Sequence, residues 1–521
     1  MLALGAGAAA CVVLADDGAW TPPVGVPAPT FGISETPPTP TIFVNESKGD
    51  DDNPGTSARP RRTVPVSLER CAVVQVVGAY TKQHTSPDTI TAHGDAGCPV
   101  WILGGQWKAG IELAGTYLYM DHVTMGFAVV RAQVDGTPTH HVVIRNSEII
   151  GSKAGGGIAI QTYSNNPAAT ISQVLIFRNF VHDVGDMQAR EDRDAHCTSI
   201  YRGYVSHVWF LENRWERCSG DGVQINATAS PSWATLNHIY IGRNVCSQNR
   251  QTCAWSKQAA DVVMSENVCR GMRPGSGGPG ICYGAQYGTE RLFIVRNQAT
   301  DSENGIAFGS WSDPPAYGKG ALIAGNLIVG IHHTSSPDNI DDAWSGGAAI
   351  RMAGGGTNCK SARGPAACVI IANNTIWDVD SSLQLINLSA TTRFVNNIVG
   401  RTRRAAMQIE QGSLLMSATR TWFDVRPTIN REGWVAKTSG RNLRRGGNLV
   451  GDPKFVNAAA GDFRLADDSP ARRAGVSVDI DEAYRKIHGV PLGLNLNGNP
   501  DLGAGLALSP ALRSIVPREG K

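Results

Sequence analysis

Aromatic residues make up only 7% of this 521-residue chain, charged residues 18%, and the two signs nearly cancel, with 47 Lys+Arg against 45 Asp+Glu. A formal charge of +2 lacks the basic excess of a nucleic-acid-binding surface, so nucleic acid is excluded as a partner, although a local basic cleft can hold an anionic polymer. Past the first fifteen residues no stretch is apolar enough for long enough to cross a bilayer. There is no C-x-x-C pair or His-rich spacing of a zinc site. Missing too are the 3.6-residue apolar period of helical solenoids and the four-stranded blade pattern of propellers. What remains is a chain with 42% hydrophobic residues, 59 Gly and 28 Pro, able to bury a large core and too long and apolar for a disordered tail or a small disulfide scaffold.

Residues 1–15 are small and apolar and end before Asp16-Asp17, the size and boundary of a signal-peptide core without its usual positive start. Ala8-Ala9-Ala10-Cys11 offers a lipoprotein-type cleavage site as an alternative. Pro22, Pro23, Pro27, Pro29, Pro37, Pro38 and Pro40 then make residues 16–40 read as an extended linker. Without Cys11 ten cysteines remain, an even number suited to an oxidising, secreted or periplasmic setting. Cys246 and Cys269 each lie two residues after an Asn, so stacking those stretches about 4.8 Å apart would favour a disulfide between them. Weaker pairings are Cys71 with Cys98, Cys197 with Cys218, Cys253 with Cys282 and Cys359 with Cys368.

A short pattern recurs: alternating apolar residues, an Asn, a turn, then a second apolar strand. Val142-Val143-Ile144-Arg145-Asn146 is one case and Val174-Leu175-Ile176-Phe177-Arg178-Asn179 another. Asn213, Asn244, Asn267 and Asn297 repeat the mark at separations of 33, 34, 31, 23 and 30 residues. Asp121 precedes the series, and Asn326 and Asn373 continue it. Strands this short cannot each bury a face alone, but coils stacked in parallel share one interior, and an Asn at one corner of each coil can bond its neighbours as a ladder. The expected fold is therefore all-β, a right-handed parallel β-helix over residues 41–505, with loops inserted at one corner and a tail at 506–521.

A second strand row follows each turn, including Ile158-Ala159-Ile160-Gln161, Thr198-Ser199-Ile200-Tyr201, Val223-Gln224-Ile225-Asn226 and Ala254-Trp255-Ser256-Lys257. Alternation sends Val223 and Ile225 inward and Gln224 and Asn226 outward. The same parity puts Gln161, Tyr201, Asn226 and Lys257 on one outer face.

The stretch from Phe43-Val44-Asn45 to Gly49-Asp50-Asp51-Asp52-Asn53-Pro54-Gly55-Thr56 resembles the opening segment of secreted bacterial parallel β-helix proteins of the pectate-lyase-like superfamily. Asp452-Pro453-Lys454-Phe455-Val456-Asn457, Gly461-Asp462-Phe463 and Pro500-Asp501-Leu502-Gly503-Ala504 resemble their closing segment. The resemblance implies an enzyme acting on an acidic polysaccharide: a lyase, or a hydrolase or uronate epimerase on the same fold, or else a glycan-binding surface protein without catalysis. It transfers no catalytic set. There is no Arg-Ile-Lys stretch of the polygalacturonase type and no Asp-Pro-His-Asp stretch of the mannuronan-epimerase type, and Gly220-Asp221-Gly222 matches only part of the polygalacturonase Gly-Asp-Asp motif.

Removing a proton beside a carboxylate needs donors or a cation for that carboxylate, a base, and an acid for the leaving oxygen. Lys257 is the expected base, with Arg202 as the neighbouring cation; His196 is the competing base and Tyr201 the acid. Asn226, Gln161 and Gln224 are expected to bind substrate, Trp233 to stack on a sugar ring, and Arg273 to line an anionic groove. Asp192, Asp194 and Asp221 are the candidates to hold calcium, a hard ion that takes carboxylate oxygens. Each residue also has a plain structural use: a solvated lysine, an amphipathic cover, a turn cap, local Asp–Arg ion pairs. The chain is expected to act as a monomer.

Overall fold

The computed structural model describes residues 19–162, 166–188, 194–227, 235–273, 280–286, 289–309, 320–334, 346–353, 369–386, 391–404, 406–409, 414–425 and 446–509. Each coil contributes strands to three faces, and every lateral pairing along the coils is parallel. The leading face holds the strands that run into the Asn corner, such as Ile171–Phe177, Val205–Leu211, Leu236–Gly242 and Ala260–Ser265. After the corner come the short strands Phe180–Val184, Arg214–Cys218, Val245–Ser247 and Val268–Arg270. The candidate face follows, with Gly157–Gln161, Thr198–Tyr201, Val223–Asn226, Thr252–Lys257 and Ile281–Gln286. This is a parallel β-helix, and the crossover rule for parallel strands makes it right-handed. The short-strand face, expected to be turn, carries little apolar signal because each of its strands sends few side chains into the core, Val181 and Val184 in one coil and Cys246 in another.

The asparagines form the expected ladder. In Asn179, Asn213, Asn244, Asn267, Asn297, Asn326 and Asn374 the backbone N–H and the side-chain Nδ2 both donate to the Oδ1 of the next member. Nδ2 of each also donates to a strand carbonyl, Phe210 O at 2.8 Å for Asn244. Two marks shift by one residue. Ser147, not Asn146, occupies the ladder position, its N–H reaching Asn179 Oδ1 at 3.1 Å, and Asn374 does so in place of Asn373. Asn146 and Asn373 instead sit in the left-handed corner conformation (φ 49° and 52°) that asparagine tolerates better than most residues. Asp121 caps the ladder's start by accepting from Arg145 and Asn146.

Inward residues such as Val174, Ile176, Val208, Phe210, Ile239 and Ile241 are fully buried between the faces. The leading face is also apolar outward, through Leu175, Trp209, Tyr240, Val263 and Phe293. Such a face must be covered. Residues 19–36, expected to be a linker, lie along it: Val26 and Phe31 are buried there, and Pro27 O accepts from Trp209 Nε1 at 2.8 Å. The C-terminal helix Asp481–His488 joins the cover, with Tyr484 bonded to Gly25 O. Proline excluded the segment from the sheet but not from packing on it. Residues 1–18 and 510–521 lie outside the described residues.

Cys71–Cys98 and Cys197–Cys218 are disulfides as expected. Cys246 and Cys269 do sit in register on adjacent coils, yet each is bonded within its own coil, to Cys253 and Cys282. All four side chains point into the core, so the partner across the interior, at Cα separations of 5.5 and 5.7 Å, takes the bond. The Cys253–Cys282 pairing falls with it, and Cys359 and Cys368 lie outside the described residues. Four disulfides are consistent with an extracellular or periplasmic compartment. Among the described residues no helix is long and apolar enough to cross a membrane.

Candidate active site

Gln161, Tyr201, Asn226, Lys257 and Gln286 are direct register partners on five successive strands of the candidate face. Val223 and Ile225 are fully buried inward, as parity required, leaving Asn226 and Lys257 partly exposed on the outer side. The next outward column holds Ser199, Gln224 and Trp255, also in register.

His196 and Asp221 meet at the face's leading edge, as aligning Thr198 with Val223 implies. The Asp221 backbone N–H donates to His196 Nδ1 at 2.9 Å. An amide hydrogen cannot be turned away, so Nδ1 carries the lone pair and the ring proton resides on Nε2. In this tautomer His196 carries its proton on Nε2, an arrangement that suits a hydrogen-bond donor better than the competing base expected from the sequence. Asp221 Oδ2 lies 3.3 Å from the same Nδ1 and accepts from Gln224 Nε2 at 2.9 Å, while Oδ1 accepts from Thr252 Oγ1 at 2.6 Å. Gln224 Oε1 in turn accepts from Asn226 Nδ2 at 3.2 Å. Asp221, Gln224, His196 and Thr252 are all at least nine-tenths buried, so this network is fixed before any ligand arrives.

Tyr201 stands beside it, its ring 6.3 Å from that of His196. Burial, opposed by a hydrogen bond with Ser199 and reinforced by the charges of Asp221 and Asp194, raises its hydroxyl pKa above the usual 10.0. Tyr201 is thus held protonated. Arg202 follows it in the left-handed conformation (φ 72°), its N–H donating to Asn226 O at 2.8 Å. Gln161 Oε1 accepts from Arg131 Nη1 at 2.8 Å, and Arg131 also pairs with Glu112. That orientation presents the Gln161 amide as a donor.

Of the proposed calcium ligands, Asp194 and Asp221 are held by protein donors. Asp194 Oδ1 accepts from Arg250 Nη2 and Oδ2 from Gln251 Nε2, both at 2.6 Å. Arg250 also donates to Ser219 O at 2.6 Å, so this pair pins Asp194 to the coil. Asp221 has both oxygens engaged as described, and Asp192 lies outside the described residues, as does Trp233. Among the described residues no three His, Cys, Asp or Glu side chains converge as a metal would require. Arg273 is drawn away from the candidate face by an ion pair with Asp301 of the short-strand face. Ser199, Thr252 and Gln251 could not be singled out from the sequence, because isolated polar residues in or beside a short strand carry no signal of their own.

No protein-family profile and no curated protein matches the chain. Among solved structures, the chain is similar to a GH136 lacto-N-biosidase from Eubacterium ramulus, at 10% identity and TM-score 0.40, covering 79% of this chain and 67% of that one. It is also similar to pectate lyase Pel9A, at 13% identity and TM-score 0.32 over 89% and 95% of the two chains. A third is the PL6 alginate lyase AlyGC, at 10% identity and TM-score 0.40 over 85% and 57%.

Proposed function

We propose that the protein is an exported carbohydrate-active enzyme that cleaves an acidic, uronate-containing polysaccharide by β-elimination along the candidate face. The observation that carries this reading is the protonated Tyr201 standing beside the buried His196–Asp221 pair, in register with Asn226 and Lys257. In the reaction Lys257 takes the proton from the sugar carbon beside the carboxylate, and that electron pair becomes the new carbon–carbon double bond. The glycosidic oxygen leaves with its bonding pair and takes the Tyr201 proton. Asn226, the Gln161 amide and His196 Nε2 supply donors to the carboxylate as negative charge builds on it.

A two-carboxylate hydrolysis has less support. Its general acid must donate a proton, whereas Asp194 and Asp221 each accept hydrogen bonds at both oxygens. Incubation with a panel of uronate polymers tests the proposal. New ultraviolet absorbance from the unsaturated product supports elimination; new reducing ends without absorbance would establish hydrolysis, and neither would leave a binding protein or an epimerase.

A further inference from the structure

The outward column that carries Gln224 continues along the same face through Trp255, Gly284 and Ala307 to Arg351, Gln384 and Gln408. Arg351 lies four coils beyond Gln224, about 19 Å at about 4.8 Å per coil. It is 5% exposed and Gln384 4%. Arg351 Nη1 donates to Gln384 Oε1 at 2.9 Å, and Gln384 Nε2 donates to Gln408 Oε1 at 2.7 Å and to Gly346 O at 3.2 Å. A side chain at position 346 would meet Arg351 Nη1 at 2.9 Å and Gln384 Oε1 at 3.0 Å, so glycine keeps the cradle around the guanidinium open.

Next to this cradle Glu303, wholly buried, accepts from Gly346 N (3.0 Å), Thr334 N (2.6 Å) and Thr334 Oγ1 (2.9 Å), and lies 2.7 Å from His333 Nδ1. Three donors already define Glu303 as a carboxylate, so the fourth contact is His333 Nδ1–H donating to it. The His333 ring is 30% exposed, and its Nε2 is then the atom left to meet a ligand. Asp380 fixes the backbone here by accepting from His333 N at 3.0 Å and from His332 Nδ1 at 3.1 Å.

We propose that Arg351, Gln384 and His333 form a distal subsite that binds the carboxylate and an adjacent hydroxyl of an acidic sugar, several rings away from Tyr201. Arg351 takes the carboxylate and His333 Nε2 the hydroxyl. This rests on the reading that the face binds an acidic glycan, and it specifies a polymer rather than a short oligosaccharide as substrate. Burial lowers the Arg351 pKa to about 10, with the Glu303 charge opposing the shift. The guanidinium is thus poorly solvated, and an arriving carboxylate gains more from it than from a surface arginine.

Two measurements test the subsite. In the first, His333 of the wild-type protein is acylated with diethyl pyrocarbonate and followed by mass spectrometry. A long uronate oligosaccharide is expected to slow the reaction at least fivefold, and a neutral glucan of equal length is not. In the second, KM is measured against a length series of uronate oligosaccharides. KM should fall with chain length in the wild type, and Arg351→Gln and His333→Gln should each remove that dependence. The His333 variant keeps the second test usable if the buried arginine cannot be replaced without unfolding. Acylation unaffected by the uronate chain, or unchanged length dependence in folded variants, overturns the proposal. Protection without any cleavage would sustain the subsite while removing the elimination reading; cleavage without protection would do the reverse.

Discussion

Asp221 donates its backbone N–H to His196 Nδ1 while its carboxylate accepts from Thr252 and Gln224. One residue on one coil thereby sets the tautomer of a ring on the preceding coil and orients the glutamine beside it. Asp221→Asn leaves the backbone donor but presents an amide to a hydroxyl or amide donor that needs an acceptor. The expected loss is about 10-fold to 100-fold in kcat and about 1–3 kcal/mol in stability, the cost of a buried unsatisfied group. Steady-state kinetics with urea unfolding checks both; full activity would show that the pair only closes the coil.

Tyr201→Phe should reduce kcat by roughly 10²–10⁴, the usual contribution of a positioned acid, without altering the circular dichroism spectrum. Because the hydroxyl pKa is raised above 10.0, Tyr201 remains the acid throughout neutral and mildly alkaline pH. No alkaline loss of rate from this group is expected below pH 10. A limb near pH 8 that disappears in Tyr201→Phe would contradict the assignment.

Asn244 accepts from Asn213 N and Nδ2 and donates to Phe210 O and Asn267 Oδ1. Asn244→Ala removes all of these and strands buried partners on both neighbouring coils, so a loss of at least about 3 kcal/mol is expected. Serine should do almost as badly, being too short to reach both. Chemical denaturation reads the difference.

His488, 6% exposed, and His141 are pushed down from 6.5 to about 4, chiefly by burial. Both rings favour the neutral form in the fold, so their stabilisation is complete above pH 6.5 and is lost as the pH falls through the interval down to about 4. For His488 the effect is on the order of 2–3 kcal/mol. Unfolding curves at pH 7.5 and 4.5 should differ accordingly, and His488→Gln should narrow the gap. Equal stability at both values would refute this.

Non-reducing peptide mapping should recover Cys246 joined to Cys253 and Cys269 joined to Cys282. A peptide linking Cys246 to Cys269 would mean that the coils are bonded along the axis rather than across the interior.

The β-helix itself was written in the residues. Apolar alternation and recurring asparagines carry it, because a two-residue period and a corner hydrogen bond are local properties that survive without coordinates. The same parity placed Gln161, Tyr201, Asn226 and Lys257 on one wall, and it would also have placed Arg351: Ile350-Arg351-Met352 repeats the form of Val223-Gln224-Ile225. Other features had no local mark. Which cysteine meets which depends on where two faces converge across the core. The cover over the leading face joins residues near 25 to others near 484, a separation no window of sequence spans. The tautomer of His196 and the cation-paired state of Asp194 were decided only when stacked coils brought the Asp221 amide and the Arg250 guanidinium alongside. Hydrogen bonds between neighbours in space, not in sequence, choose which proton a ring keeps and which charge a carboxylate answers.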